Sequence, residues 1–179
     1  MKHALVIGGT GMLSQASVWL SENGFHVSVI GRNPEKMQQL LEQNPTQLTP
    51  VLVDYTNTEE LAEQIRSIQQ QNGPIELVVA WVHSTGPHVI PCMLEMLPAN
   101  QPMAFFHVSG SSSNLKDIKA KTAVPNHVFY HQIQLGFKIE NGISRWLTHD
   151  EISQGVIDSV LSGKPESVIG TTEPWDKRP

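Results

Sequence analysis

The chain has one cysteine, Cys92, so no disulfide can close within it. That excludes a small disulfide-stapled secreted scaffold and fits the reducing cytoplasm. Charge is sparse too: 16% of residues are Asp, Glu, Lys or Arg, and the net charge is −5. Without a run of Lys or Arg, neither nucleic acid nor an anionic membrane is an expected partner. No apolar stretch approaches the ~18 residues of a membrane-crossing helix. Met1-Lys2-His3 leads into a strand-like run soon interrupted by glycine, which does not read as a signal peptide. Internal repeats and low-complexity tracts are absent. Aromatic residues make up 6% of the chain, and only Tyr55 and Tyr130 are tyrosines.

What remains is ordinary globular material. Apolar residues are 39% of 179, which suits a single domain over 1–179 with a useful core. Strand-like runs at 3–7, 25–30, 49–53, 75–82 and 103–108 alternate with helical patterns at 12–23, 34–41, 57–70 and 89–97. Pro34 opens one helix and Asn57 caps another. This order predicts an α/β, Rossmann-like doubly wound fold, a mostly parallel sheet of six or seven strands flanked by helices. Beyond residue 108 the pattern weakens. A polar stub at 114–122 precedes a long strand over 127–139. Asn141-Gly142 signals a hairpin, Thr148 to Glu151 forms a capping box, and a helix runs to about Leu161 and stops at Gly163. Residues 167–170 read as a last strand.

"LVIGGTGML" follows the first strand and opens the first helix. Glycine destabilises both element types, so its density there needs another reason. A doubly wound fold places a nucleotide pyrophosphate at this point. Gly8 would allow the tight turn and Gly11 the close approach of backbone to phosphate, with free helix N–H groups facing the anion. Ser14 stands where a third glycine is usual. A plain strand-to-helix turn is the bland alternative. Strand two ends in Gly31-Arg32-Asn33, with no acid to accept the ribose hydroxyls. Arginine can pair a 2′-phosphate with two bonds and stack on adenine, and Lys36 adds charge. NADP(H) is therefore expected over NAD(H), unless Arg32 is only a solvated surface residue. Asp54, ending strand three, would either accept from the adenine amino group or serve as a turn acid.

Together, "VIGGTGML", "VIGRNPEK", "VLVDYTN" and "LVVAWVHSTG" resemble the cofactor half of the short-chain dehydrogenase/reductase superfamily, most closely its atypical members. The resemblance covers 3–112 and resumes at "SRWLTHDEIS". It implies that Gly8, Thr10, Gly11, Met12 and Leu13 line the pyrophosphate. Arg32, Asn33 and Lys36 would take the 2′-phosphate. Asp54 and Tyr55 would border adenine, and Ala80, Trp81 and Val82 the adenosine and ribose.

The resemblance breaks at the catalytic pattern, a Ser followed by Tyr-x-x-x-Lys. Tyr130 has Gln134 four residues on, and Tyr55 has Glu59. The family's Pro-Gly after strand six is also missing. Ser111, or its neighbour Ser109, would match the family's serine and could bond a substrate carbonyl, or simply form a polar turn. His83 is a candidate proton donor or a structural histidine, and Tyr130 is a second candidate donor. His131 reads as a satisfied histidine on an apolar strand face. Arg145-Trp146 would either cover a substrate or anchor the last helix. No metal is expected: His127 and His131 would lie ~13 Å apart on one strand. The expected activity is NADPH-dependent reduction of a small carbonyl or conjugated substrate. The alternatives are a non-catalytic NADP(H)-binding sensor or interaction module, and a structural relative without a ligand. The family's common dimer helix is shortened here, which argues against a family-style tetramer.

Overall fold

The structure is a computed structural model and describes residues 1–43 and 47–179. Strands β1 (Lys2–Ile7), β2 (Phe25–Gly31), β3 (Leu48–Leu52), β4 (Ile75–Trp81), β5 (Met103–Ser109), β6 (Val128–Leu135) and β9 (Glu166–Ile169) form one sheet. Its order is β3-β2-β1-β4-β5-β6-β9, and every neighbouring pair is parallel. The order reverses between β1 and β4, so a crevice opens over their carboxyl ends, where this class of fold binds ligands. The hairpin β7 (Phe137–Glu140) and β8 (Ile143–Trp146) stands outside the sheet.

The helices divide between the faces by strand parity. Helices α1 (Ser14–Glu22), α2 (Pro34–Leu41) and α6 (His149–Ser162) pack on Val6, Val29, Val79, Phe106 and Ile133. Helices α3 (Thr58–Asn72) and α4 (Val89–Met96) pack on Ile7, Ile30, Val78, Ala80 and Phe105. Helix α5 (Leu115–Lys121) has seven residues and none of them is buried, so it adds little cover. Among the described residues no helix is long and apolar enough to cross a membrane.

Three local expectations are corrected. The first helix starts at Ser14, not Met12, because residues 8–13 are spent on a turn. The strand expected over 127–139 breaks at Gly136. A Cβ there would lie 2.2 Å from the Thr171 carbonyl oxygen, so only glycine lets residue 171 pair with Phe137. His131 is not on a continuous apolar face, since Phe129 is 63% exposed. Its ring stacks on Phe106 at 4.4 Å, and Nδ1 lies 2.9 Å from the Lys164 carbonyl, so it is satisfied as expected.

The hairpin turn and the last helix form as their local signals indicate. Asn141 and Gly142 both take positive φ, at 52° and 77°. Thr148 and Glu151 complete their capping box. Glu151 also accepts from Lys138 Nζ at 2.7 Å and Arg145 at 2.9 Å, which fastens the hairpin to α6. These bonds hold its carboxyl well below the usual range, the Arg145 bond contributing most.

Close helix–sheet packing rests on Gly9 rather than on position 14. An added Cβ would sit 2.7 Å from Val29 Cγ1 and 2.8 Å from Ser17 Oγ, both interior. Gly9→Ala should overpack this junction and cost ~1–3 kcal/mol. Thermal denaturation should then show a midpoint lowered by several degrees; an unchanged midpoint would contradict the packing described.

Candidate functional site

Three adjoining cavities occupy the crevice, and the Trp81 ring borders all of them. The first, about 520 Å³, runs along the ends of β1, β2 and β3. It brings together Gly8, Thr10, Gly11, Met12, Arg32, Asn33, Lys36, Asp54, Tyr55 and Trp81, distant in sequence but expected as one site. Three expected members do not join them. Leu13 and Ala80 are wholly buried, Leu13 under α1 and Ala80 against α3 and α4. Strand alternation turns Ala80 away while Trp81 faces the crevice. Val82 lines the third cavity instead. Thr85 and His149 line the first without having been singled out from the sequence.

The glycine loop leaves backbone N–H groups beside open space. Gly8 has φ +78° and its N–H continues the sheet by donating to Ile30 O at 3.2 Å. A Cβ on Gly11 would meet nothing within 4 Å, so the backbone there borders open space. The N–H groups of Thr10 and Met12, both half-exposed, have no hydrogen-bond partner among the described residues. Helix α6 braces this loop from behind. Ser153 Oγ donates to Met12 O at 2.8 Å and accepts from Ala16 N–H at 3.3 Å. Not every helix N–H is therefore free, since Ala16 is satisfied internally.

At the far end the groups are cationic and exposed. Among the described residues neither Arg32 nor Lys36 makes an ion pair. Asn33 caps α2, its Oδ1 accepting from Lys36 N–H at 2.9 Å. Asp54 Oδ1 accepts from the Thr56 hydroxyl at 2.7 Å and the Thr56 N–H at 3.0 Å. It is thus a turn acid that also faces the cavity. Those bonds, the hydroxyl first, hold its carboxyl below the usual range, with help from Arg32. Tyr55 bridges to the next loop, its hydroxyl accepting from His83 N–H at 3.2 Å.

The catalytic candidates do not all share one cavity. Ser111 lines the second cavity, of about 370 Å³, with Met12, Leu135, Trp146 and His149. Ser109 is buried and borders the third, of about 450 Å³. His83 is exposed between the first and third. No one of these cavities is lined by both His83 and Ser111, whereas His83 and Ser109 share the third. Tyr130 lies deeper, paired in register with Phe105, four residues below Ser109. It reaches none of the three cavities, which removes it as a donor to a ligand there.

Tyr130 instead bonds His107, with hydroxyl and Nδ1 2.7 Å apart. His107 lines the third cavity and was missed from sequence, since a histidine inside "MAFFHV" gives no local signal. Burial pulls its pKa down to about 4 and pushes that of Tyr130 up to about 12, so both are neutral near pH 7. Of the 145–146 pair, Arg145 is an anchor and Trp146 lines the second cavity. Among the described residues no three His, Cys, Asp or Glu side chains are grouped to hold a metal.

Similarity to known proteins agrees with this architecture. No protein-family model matches the chain. It is 37% identical over 82 residues to uncharacterized oxidoreductases of Staphylococcus aureus strains USA300 and COL, covering 44% of this chain and 35% of theirs. The chain thus spans about a third of the length of the curated relatives it matches. A protein from Aeromonas hydrophila assigned to the short-chain dehydrogenase/reductase family superposes with TM-score 0.69, 15% identity and 96% and 99% coverage of the two chains. The citronellol catabolism dehydrogenase of Pseudomonas aeruginosa gives 0.67, 13% identity and 93% and 92% coverage. An alcohol dehydrogenase of Thermococcus sibiricus, solved with 5-hydroxy-NADP, gives 0.67, 14% identity and 94% and 95% coverage. The fold is therefore that of the short-chain dehydrogenases.

Two histidines, His3 buried and His107 half-buried against the third cavity, give a testable pH dependence. His3 is wholly satisfied at the other end of the sheet, with Nδ1 2.7 Å from Gly73 O and Nε2 2.8 Å from Ser28 Oγ. Burial lowers its pKa, as it does that of His107. The unfolded chain therefore takes up protons first. The stability these groups contribute is complete above about pH 6.5, and falls below it by up to ~1.4 kcal/mol per pH unit for each. For His107 the loss should level off near pH 4. Urea midpoints at pH 7.5 and 5 should differ accordingly, and His107→Phe should flatten the profile. Equal midpoints would contradict the buried neutral state.

Proposed function

We propose that this chain is an NADP(H)-binding oxidoreductase of the short-chain dehydrogenase type, acting on a small carbonyl or conjugated substrate. One observation carries the reading: a single cavity joins an open glycine loop, whose Thr10 and Met12 N–H groups are unpaired among the described residues, to Arg32 just beyond β2 and Lys36 in α2, neither of which makes an ion pair there. The residues fit a phosphorylated dinucleotide. Thr10 and Met12 N–H suit the pyrophosphate, and Gly11 leaves room for it. Arg32 offers a planar fork to a 2′-phosphate, which Asp or Glu would repel. Lys36 adds a second charge, and the exposed Asp54 and half-buried Tyr55 suit an adenine edge. The T. sibiricus alcohol dehydrogenase, which shares the fold, was solved with 5-hydroxy-NADP, and this is in keeping with the reading.

When bound, the dinucleotide supplies the hydride. The chain's own groups then orient the acceptor. Trp81 and Met12 join the first cavity to the second, and Ser111 Oγ can donate to a carbonyl oxygen there. The sequence has no Tyr-x-x-x-Lys, so the proton would come from solvent or from His83, which is exposed and borders the first and third cavities. Such a reaction needs an already electrophilic substrate, and positioning provides much of the acceleration.

The missing Tyr-Lys pair also favours a second reading, a non-catalytic NADP(H) sensor in which the same cavity binds and nothing turns over. Fluorescence titration tests the shared part. NADPH should bind at least about tenfold more tightly than NADH, and Arg32→Ala should remove most of that difference. Equal affinities, or an indifferent Arg32→Ala, would contradict the 2′-phosphate assignment. NADPH oxidation with quinones or reactive aldehydes then separates the readings. Saturable turnover lowered by Ser111→Ala marks a reductase, and tight binding without turnover marks a sensor.

A further inference from the structure

Beyond β9 the chain turns back over the crevice. Thr171 exchanges two backbone hydrogen bonds with Phe137, each of 2.9 Å. The short 3-10 turn at Trp175–Lys177 then delivers Arg178 to the wall of the second cavity. Its Nε donates to Ser111 Oγ at 3.0 Å. Its guanidinium carbon lies 5.3 Å from the centroid of Trp146 and 5.0 Å from that of Trp175.

This cation is held by rings and a hydroxyl, not by a carboxylate. Among the described residues it makes no ion pair, and its two Nη groups have no hydrogen-bond partner. The rest of the cavity wall holds no Asp or Glu, and much of it is apolar: Met12, Leu135, Leu147 and Ile152. Flanking aromatic rings fix the guanidinium by cation–π attraction without neutralising it. With Nε committed to Ser111, the free Nη pair presents a fork whose spacing matches a carboxylate. Ser111, accepting at Oγ, keeps its own proton to donate outward.

We propose that the second cavity binds an organic acid: an apolar body against Met12, Leu135, Leu147 and Ile152, with its carboxylate on the Nη pair of Arg178, which leaves the Ser111 proton for the carbonyl oxygen. This deepens the dehydrogenase reading, on which it rests only in calling that acid a substrate. It makes the acceptor a carboxylate-bearing carbonyl compound, with Arg178 as its specificity-determining residue.

Calorimetric titration of the whole protein at low salt tests the site, using benzoate and its neutral isostere benzamide, with and without saturating NADP+. Benzoate should bind about tenfold or more tightly than benzamide. Arg178→Gln should erase the difference, and Arg178→Lys should keep part of it. Arg178 is exposed, so both variants should melt with the wild type. Equal binding of the two probes, no binding of benzoate, or an unchanged preference in Arg178→Gln would overturn the proposal. So would displacement of benzoate by NADP+ together with weakened NADP+ binding in Arg178→Gln, because Arg178 would then serve the cofactor's phosphates. If NADP+ gives no heat while benzoate behaves as expected, the acid site stands and the dehydrogenase reading fails.

Discussion

The contact of the Gly9 backbone with Val6, Val29 and Ser17 is the constraint on which the rest depends. It seats α1 directly on β1 and β2. Gly8 can then turn the chain out of the sheet while still donating to Ile30. Any side chain at position 9 would lift the helix and close the space in front of Gly11. Gly31 plays the matching part on the neighbouring strand, where a Cβ would lie 3.0 Å from the Thr10 side chain. Thr10 is thereby set between the glycine loop and Arg32. Ser153, on α6, ties the far end of the chain to this loop through Met12 and Ala16. The backbone of the glycine loop is thus shaped by sheet, first helix and last helix at once.

Trp81 organises what lies beyond. Its indole packs beside Gly8 and reaches toward Gly110, so one large ring divides the crevice into three. The nucleotide-like cavity lies on one side. The cavity of Ser111 and Arg178 and that of Ser109 and His107 lie on the others. Shortening α5 to seven residues uncovers the sheet beneath it. That leaves open ground around His107, which lines the third cavity.

Features set by neighbours in sequence were legible in it. The alternation of strands and helices, the Asn33 and Asn57 caps, the Asn141-Gly142 turn and the Thr148–Glu151 box are decided within a few residues. The first cavity was also legible, because a doubly wound sheet brings the ends of β1, β2 and β3 together whatever their side chains. Features set by facing direction or distant contacts were not. Ala80 and Leu13 sit within site motifs yet point into the core. Gly136 breaks a strand because Thr171 arrives 35 positions later. Arg178 meets Ser111 across 67 positions. Tyr130, one of two tyrosines, drew attention as a donor, but its register with Phe105 sinks it toward His107.

The most direct test of the account is an amide and indole NMR titration of the protein with NADPH. The account predicts the largest shifts at the Thr10, Gly11 and Met12 amides, at Arg32 and Lys36, and at the Trp81 indole. It predicts little change at His3 or Tyr130. Shifts confined to the His107 cavity, or none at all, would mean that the glycine loop is only a turn and would contradict the central claim.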